Sequence, residues 1–262
     1  RVIEGTGRIE IEFAPRPDFG REPTRLRRLD EGLQVEGSLD PIVLRAPGVE
    51  WRLVDEGPHQ RAIAEHDLTE QAVVLELRYG LSTSRELIVP EHRRREQTNR
   101  FWNVWADQLR IPPVCSDLVR RSALLLKALC YGPTGAIVAA GTTSLPEHIG
   151  GIRNWDYRYC WLRDSAMAAA ALAKLGSTGV GTRLIDWLLG ILDRDEAPEW
   201  FRPVYTVTGG HLSVEAEIRE LPGYRGSRPV RVGNAAAQQL QLDVFGPIME
   251  LVALLAESGA AL

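Results

Sequence analysis

The residue types best suited to chemistry are concentrated in residues 150–164, which read GGIRNWDYRYCWLRD. This segment holds four aromatic residues, three arginines and two aspartates, and an alanine-rich stretch predicted to be helical follows at residues 165–175. Aromatic rings stack on the apolar face of a pyranose, while Arg and Asp side chains hydrogen-bond its hydroxyls. The segment therefore predicts a sugar-binding site at the beginning of a helix.

Four residues of this segment are the candidate sugar ligands: Tyr157, Trp161, Arg163 and Asp164. Trp161 begins the predicted helix, and Asp164 falls in its first turn, where the helix dipole favours a charged carboxylate. Arg163 adds five donors in fixed geometry. The alternative is an Arg–Asp pair that caps the helix, with Trp161 and Tyr157 in the core. The density of the whole segment favours the sugar site.

A second segment, residues 223–234, reads GYRGSRPVRVGN and predicts another wall of the same pocket. Arg228 and Arg231 lie on either side of a proline and can project from one loop, with Arg228 on substrate hydroxyls. Asn234 is a good N-cap for the helix predicted after it. The alternative is an arginine-rich loop that forms salt bridges with Glu217 or Glu220.

The remaining titratable residues have simpler interpretations. A general acid needs a carboxyl buried among apolar groups, whereas Glu215, Glu217 and Glu220 lie in a polar, alternating stretch typical of a solvated edge. Cys160 is interpreted as filler beside the pocket, since a nucleophile would need a nearby base. His148 is interpreted as a loop residue.

Composition excludes several classes of protein. The 262 residues carry a formal net charge of −4, with no basic excess to neutralise phosphates, so nucleic acid is not an expected partner. Three widely spaced cysteines fit neither a disulfide framework nor a zinc site, and no other metal spacing is present. No apolar run reaches the ~18 residues of a membrane span. A reducing compartment, the bacterial cytoplasm, is expected.

Two regimes of periodicity divide the chain. Up to about residue 95, short alternating runs separated by turn residues predict an antiparallel sandwich. The predicted strands are residues 8–13, 32–37, 42–44, 51–54 and 72–77, while the arginine clusters 25–28 and 93–95 are interpreted as solvated faces.

From about Thr98 the apolar period becomes helical. Helices are predicted at residues 99–109, 117–131, 161–175, 182–192 and 234–257, with Asp193, Asp195 and Glu196 in a turn and possible hairpin strands at 203–207. Pro247 is expected to kink or split the last helix near Gly246, because it removes one backbone donor.

Several separated motifs resemble glycoside hydrolase family 15, which holds glucoamylases, glucodextranases and a bacterial trehalase branch. The motifs are Ser144-Leu145-Pro146-Glu147, residues 150–164, residues 223–234 and Gln239-Leu240-Gln241-Leu242-Asp243, in the family's order. The match is densest from about residue 98 to 255. Fungal glucoamylases carry a tryptophan where this chain has Gly226, which makes the chain more similar to the bacterial members.

The resemblance implies a β-sandwich followed by an (α/α)6 barrel and an inverting mechanism with two glutamates. It implies that Tyr157 lies near the attacking water, Trp161 beside the sugar, Arg163 with Asp164 on the hydroxyls of the non-reducing glucose, and Arg228 in the pocket. No metal or cofactor is implied. The family's general acid and base lie further along than Leu262, so we expect no catalytic residue here, and we expect both ends of the chain to be cut.

The sequence thus predicts an α+β multidomain chain: part of an antiparallel β-sandwich at residues 1–95, a linker helix at 96–112, and the first part of an (α/α)6 toroid at 113–262. The predicted function is the sugar-binding portion of an inverting, exo-acting hydrolase that releases glucose from maltodextrin, glucan or trehalose. One alternative is a carbohydrate-binding or regulatory protein without hydrolytic activity. Another is a glycoside phosphorylase, with Arg228 and Arg231 contributing to an anion site.

Overall fold

Two structural units divide the chain, one formed by Arg1–Thr98 and the other by Asn99–Leu262. The computed structural model describes residues 5–68, 72–82, 89–194 and 201–260. The predicted turn residues Asp195 and Glu196 lie outside the described residues. Asp193 ends the helix before them, where its backbone N–H donates to the carbonyl of Leu189.

Antiparallel strands make up most of the first unit. They are β1 Arg8–Phe13, β2 Arg25–Leu29, β3 Gly32–Glu36, β4 Ile42–Arg45, β5 Arg52–Glu56, β6 His59–Asp67 and β7 Glu76–Tyr79. One sheet has the order β1-β6-β5 and the other β2-β3-β4-β7. A common buried cluster draws side chains from both sheets, namely Ile11, Leu26, Leu33, Val35, Leu44, Ala46, Trp51, Ala62 and Ala64. The predicted antiparallel sheets are confirmed.

The strands β2 and β6 do not appear among the sequence predictions. Strand β2 reads RLRRL, so its arginines hide the alternation that a strand needs. Leu26 is buried while Arg25, Arg27 and Arg28 are exposed, which agrees with a solvated arginine face. The last predicted strand also shifts along the chain, to Glu76–Tyr79.

Five helices are described: α1 Glu91–Asp107, α2 Ser116–Ala128, α3 Leu162–Lys174, α4 Thr178–Leu192 and α5 Phe245–Glu257. The first begins eight residues before the predicted start at Asn99, because a charged, non-periodic first half gives no apolar stripe to detect. The antiparallel β region followed by a helical region is as predicted, while the (α/α)6 barrel stays a prediction. None of the described helices is long and apolar enough to cross a bilayer.

Small residues let α3 lie close to its neighbours in the second unit. Its buried face carries Ala166, Ala169, Ala170 and Ala173, and both α4 and α5 pack against this helix. On α4, a Cβ at Gly181 would lie only 3.0 Å from a methyl group of Leu255 on α5. Interiors packed at this density tolerate little added volume. The two helices that pack against α3 are therefore also packed closely against each other.

A two-residue ladder fixes the beginning of α3. Strand β8, Cys160–Trp161, pairs antiparallel with β9, Val204–Tyr205. The predicted hairpin at residues 203–207 is therefore wrong in its pairing: the strand exists, but its partner lies over forty residues earlier in the chain. A second small sheet joins β10, Ala216–Ile218, to β11, Val230–Val232.

The predicted helix over residues 234–257 is wrong in its first half. Short 3-10 turns occupy Ala235–Gln238 and Leu242–Val244, and α5 begins only at Phe245. Pro247 then lies in the first turn of α5, where backbone N–H groups have no partner within the helix, so it does not split the helix.

Candidate functional site

The candidate site is the place where β8 runs into α3, which we call the β8–α3 corner: Tyr157, Trp161, Arg163, Asp164 and Asp243. Trp161 has extended backbone angles and precedes the helix, and the N–H of Leu162 donates to the carbonyl of Pro203 at 3.0 Å. Arg163 and Asp164 then fall in the first turn of α3, as predicted. The ladder and the helix start together fix their backbone.

Arg163 is held between two carboxylates. One terminal nitrogen, Nη1, donates to Oδ2 of Asp243 at 2.5 Å, and the other, Nη2, lies 3.4 Å from Oδ2 of Asp164. The hydrogen bond to Asp243 is the main reason that the pKa of the guanidinium is raised. All three side chains remain partly accessible, at 35% for Arg163, 47% for Asp164 and 59% for Asp243. The three side chains are therefore held by ion pairs and remain accessible to a ligand.

The two aromatic residues of the corner are in contact with each other, and Tyr157 lies close enough to Asp164 to be affected by its charge. The ring centroids of Tyr157 and Trp161 are 5.6 Å apart with planes tilted by 57°. Trp161 is buried, whereas Tyr157 is half-buried. Burial raises the pKa of the Tyr157 hydroxyl, and the charges of Glu147 and Asp164 raise it further, so this hydroxyl is a neutral hydrogen-bond donor at neutral pH.

A buried carboxylate, Asp156, fixes the loop that carries Tyr157. Its two oxygens accept from Nε and Nη2 of Arg158 at 2.9 and 2.7 Å. The backbone N–H of Gly233 donates to the same carboxylate at 3.1 Å, and the side chain of Asn234 donates to its backbone carbonyl at 3.2 Å. Hydrogen bonds to a buried charge are among the stronger ones in proteins. Asp156 therefore connects the segment 150–164 to the end of the segment 223–234.

Further hydrogen bonds join residues 150–164 to residues 223–234. The N–H of Gly150 donates to the hydroxyl of Ser227 at 2.9 Å. The side-chain amide of Asn154 donates to the carbonyl of Pro229 at 3.2 Å, and Arg231 donates to that of Ile152 at 2.8 Å. Ser227 and Asn154 are fully buried. The two segments predicted to share a pocket thus form one connected loop structure.

Arg231 belongs to the scaffold. Its guanidinium lies 4.5 Å from the ring centroid of Trp155 and 3.5 Å from carboxylate oxygens of both Glu215 and Glu217. Glu217 stands directly opposite Arg231 in the β10–β11 ladder, where opposite charges pair well. For Arg231, the structure therefore agrees with the alternative interpretation of this segment, an arginine-rich loop that forms salt bridges. The prediction of a solvated edge is wrong for Glu215, which is half-buried and also accepts from the N–H of Ala235.

Arg228 is exposed, unlike Arg231, which is only partly accessible. It lines a shallow surface pocket together with Glu217, Arg219, Leu221 and other residues of the β10–β11 region. The other four predicted ligands belong to the β8–α3 corner. The placement of Arg228 on substrate hydroxyls stays a prediction.

Cys160 is fully buried at the base of the corner, and burial raises the pKa of its thiol to about 12. The thiol is therefore protonated at neutral pH, which suits the role of filler. Within residues 5–68, 72–82, 89–194 and 201–260 no three His, Cys, Asp or Glu side chains are grouped as a metal site would need.

Asp243 is not among the ligands that the sequence predicts for this corner. Only the resemblance motif at residues 239–243 contained it, and an aspartate just before a helix has an ordinary explanation as a favourable charge at a helix N-terminus. Its partner Arg163 lies 80 residues earlier.

The comparisons with known proteins identify the class of this chain. Residues 1–102 match the family model described as Trehalase-like, N-terminal, and residues 113–262 match that of Glycosyl hydrolases family 15. The matches place the chain among glycoside hydrolases. Because the second model covers more than half of the chain, the chain belongs to glycosyl hydrolase family 15, and the resemblance seen in the motifs is confirmed.

Curated relatives extend the match to named proteins. A trehalase of Thermoplasma acidophilum is 34% identical over 253 residues, which cover 96% of this chain and 42% of that protein. Trehalase 1 of Sulfolobus acidocaldarius is 42% identical over 56% of this chain and 26% of its own length, and a trehalase of Mycobacterium tuberculosis is 41% identical over 62% and 24%. The chain thus spans less than half the length of these relatives. No solved structure matches it.

Proposed function

We propose that this chain forms the sugar-binding portion of an inverting, exo-acting glycoside hydrolase that cleaves trehalose into glucose. Membership of glycosyl hydrolase family 15 and the trehalases among its relatives support the reaction class and the disaccharide. The proposal includes the division into a sandwich portion at residues 1–95, a linker helix at 96–112 and the first part of an (α/α)6 toroid at 113–262.

The observation that carries the proposal is the Arg163 guanidinium held between Asp164 and Asp243, on the helix that follows the packed rings of Tyr157 and Trp161. A half-exposed carboxylate next to an arginine accepts hydroxyl hydrogens while the arginine donates to hydroxyl oxygens. In this proposal Asp164 and Arg163 bind the hydroxyls of one glucose. Tyr157 and Trp161 shape the subsite.

Inverting hydrolysis needs a carboxylic acid and a carboxylate about 6.5–9.5 Å apart, with room for a water molecule. Asp164 and Asp243 both pair with Arg163, which suits holding charge rather than donating a proton. We therefore propose that the general acid and the general base lie outside these 262 residues. On this view the isolated chain binds sugar without turning it over.

The ion pairs of the arginines favour hydrolysis over phosphorolysis. A phosphorylase needs positive charge free to bind phosphate, yet Arg231 is paired with two glutamates and Arg163 with two aspartates. Of the arginines considered for an anion site, Arg228 alone stays exposed on the loop. A binding protein without hydrolytic activity is the second candidate, because a corner that can hold a sugar needs no acid–base pair.

A substrate panel tests the proposal. The 262-residue chain is titrated with glucose, trehalose and maltose by calorimetry, and the complete gene product is assayed on the same sugars with and without phosphate. We expect saccharide binding by the chain and phosphate-independent release of glucose from trehalose by the complete product, with β-glucose as the first anomer from the attacked ring. Hydrolysis by the isolated chain at ordinary rates would refute the placement of the acid and base. Strict phosphate dependence would support a phosphorylase instead.

A further inference from the structure

We propose that Asp243 is a positioning residue, which holds the guanidinium of Arg163 in the orientation that binds the sugar. This inference rests on the proposed function, since it assigns a part in the same site. Asp243 would act through Arg163 rather than on the reacting atoms.

The helix geometry explains why Arg163 needs a partner from another segment. Arg163 and Asp164 are consecutive on α3, and consecutive residues on a helix do not face each other. Their closest N···O distance is accordingly long, at 3.4 Å, whereas Asp243 approaches the other terminal nitrogen to 2.5 Å. Asp164 therefore restrains the guanidinium weakly, and Asp243 supplies the short hydrogen bond.

The backbone of Asp243 is well placed for this role. Asp243 lies in the 3-10 turn Leu242–Val244, and the next residue, Val244, is 1% exposed. Phe245 begins α5 immediately afterwards, and α5 packs along α3 with Leu251 and Leu255 fully buried. The turn is thus anchored in the core on one side while Asp243 itself stays 59% exposed.

The two ion pairs of Arg163 also leave hydrogen-bonding groups of Arg163 and Asp164 unused. The pair with Asp243 uses Nη1 of Arg163, and the pair with Asp164 uses Nη2 and Oδ2. An arginine has five donor hydrogens and a carboxylate has about four acceptor sites. Both groups can therefore bind hydroxyls while the ion pairs persist, and their relative orientation is set before the sugar arrives. Such preorganisation lowers the cost of binding.

A second ion pair, between α3 and α5, provides a control outside the corner. Lys174 of α3 and Glu250 of α5 lie 3.6 Å apart, and both are more than 60% exposed. Removing this pair by Glu250→Gln tests the loss of an α3–α5 ion pair outside the corner. Asp243→Asn keeps the size of the side chain and removes its charge.

The experiment measures trehalose affinity of the 262-residue chain, and kcat and KM of the complete gene product, for both variants. We expect Asp243→Asn to weaken trehalose binding and raise KM about ten- to a hundredfold, with a smaller change in kcat. Glu250→Gln should change neither by more than about twofold. Asp243→Glu should recover part of the loss, because it restores the carboxylate.

A double-mutant cycle separates positioning from a general structural role. If Asp243 acts through Arg163, then Asp243→Asn should have almost no further effect in an Arg163→Gln background. Additive effects would overturn the inference, as would an Asp243→Asn protein that binds like wild type while Asp164→Asn does not. A wild-type chain that binds no saccharide would instead overturn the proposed function, and this inference with it.

Discussion

Two three-residue ion clusters of this chain have opposite arrangements. In the first unit a carboxylate, Glu76, lies between the guanidinium groups of Arg78 and Arg94, at distances of 2.9 and 3.0 Å. In the second unit a guanidinium, that of Arg163, lies between two carboxylates. The side chains of Glu76, Arg78 and Arg94 are 11%, 3% and 34% exposed, whereas those of Arg163, Asp164 and Asp243 are 35–59% exposed.

The difference in burial is what we propose separates a structural ion cluster from one that binds a ligand. Charges removed from water need their partners, so loss of one member leaves an uncompensated buried charge. Ion pairs whose side chains remain about half exposed to solvent contribute little to stability. Their charged groups can still exchange bound water for a ligand. We expect the first cluster to matter for folding and the second for sugar binding.

The largest expected effect is that of Asp164→Asn on activity. The variant keeps the shape of the side chain but removes the charge that would accept sugar hydroxyls, so we expect kcat/KM for trehalose to fall about 100- to 1000-fold. Its free energy of unfolding should change by less than about 1 kcal/mol, because the Arg163–Asp164 pair is half-exposed. Steady-state kinetics of the complete gene product and urea denaturation measure the two quantities.

Asp186→Asn provides the control, since Asp186 is an exposed aspartate on α4. Its kinetics should match wild type. An unchanged rate for Asp164→Asn would mean that glucose binds elsewhere.

The next effect is the loss of stability in Glu76→Gln. Removing this charge takes away the carboxylate that lies 2.9 Å from the buried guanidinium of Arg78, and we expect a loss of about 2–3 kcal/mol from the free energy of unfolding. Sugar binding should be unaffected. Glu96→Gln is the matched control, because its pair with Arg93 is more than 60% exposed on both sides; it should cost less than about 0.5 kcal/mol. Equal losses in the two variants would contradict the comparison.

The contribution of Glu76 should also depend on pH. Burial by itself would raise the pKa of this carboxyl, but hydrogen bonds from Arg78 and Arg94 outweigh it, so the pKa in the folded protein lies below the ordinary value of 4.5. A carboxyl with a depressed folded pKa stabilises the protein above its unfolded pKa and loses that contribution as pH falls through the folded value.

The stability difference between wild type and Glu76→Gln should therefore be constant near neutral pH and shrink below about pH 4.5. Urea denaturation of both proteins at a series of acidic pH values measures this difference. A difference that stays constant down to about pH 3 would show that the ionisation of Glu76 does not contribute.

The smallest effect concerns thiol reactivity. Burial raises the pKa of Cys160 to about 12, whereas Cys115 is exposed. Because the thiolate is the reactive form, iodoacetamide at mild alkaline pH should label Cys115 in the folded protein and Cys160 only after unfolding. Mass spectrometry of the labelled peptides measures both. Rapid labelling of Cys160 in the folded chain would show that the base of the corner opens to solvent.

Much of the fold and part of the site could be predicted from local patterns. Alternating apolar residues predicted β1 and β3, and the apolar face after Trp161 predicted α3 with Asp164 in its first turn. The strand β2 was missed because three of its five residues are arginines, which mask the period. The interval from Asn234 to Val244 was predicted helical, but Asp156 and Glu215 bind its backbone and side chains from distant segments.

The sequence by itself determined the family, the order of sheets and helices, and the residue types of the proposed sugar site, because these depend on local periodicity and on motifs short enough to read along the chain. Only the tertiary structure decided that Arg231 is bound to Glu215 and Glu217, and that Arg163 is held by Asp243 from 80 residues away. The physical reason is that an ion pair depends on distance in space, and packing of α5 along α3 sets the distance between Arg163 and Asp243.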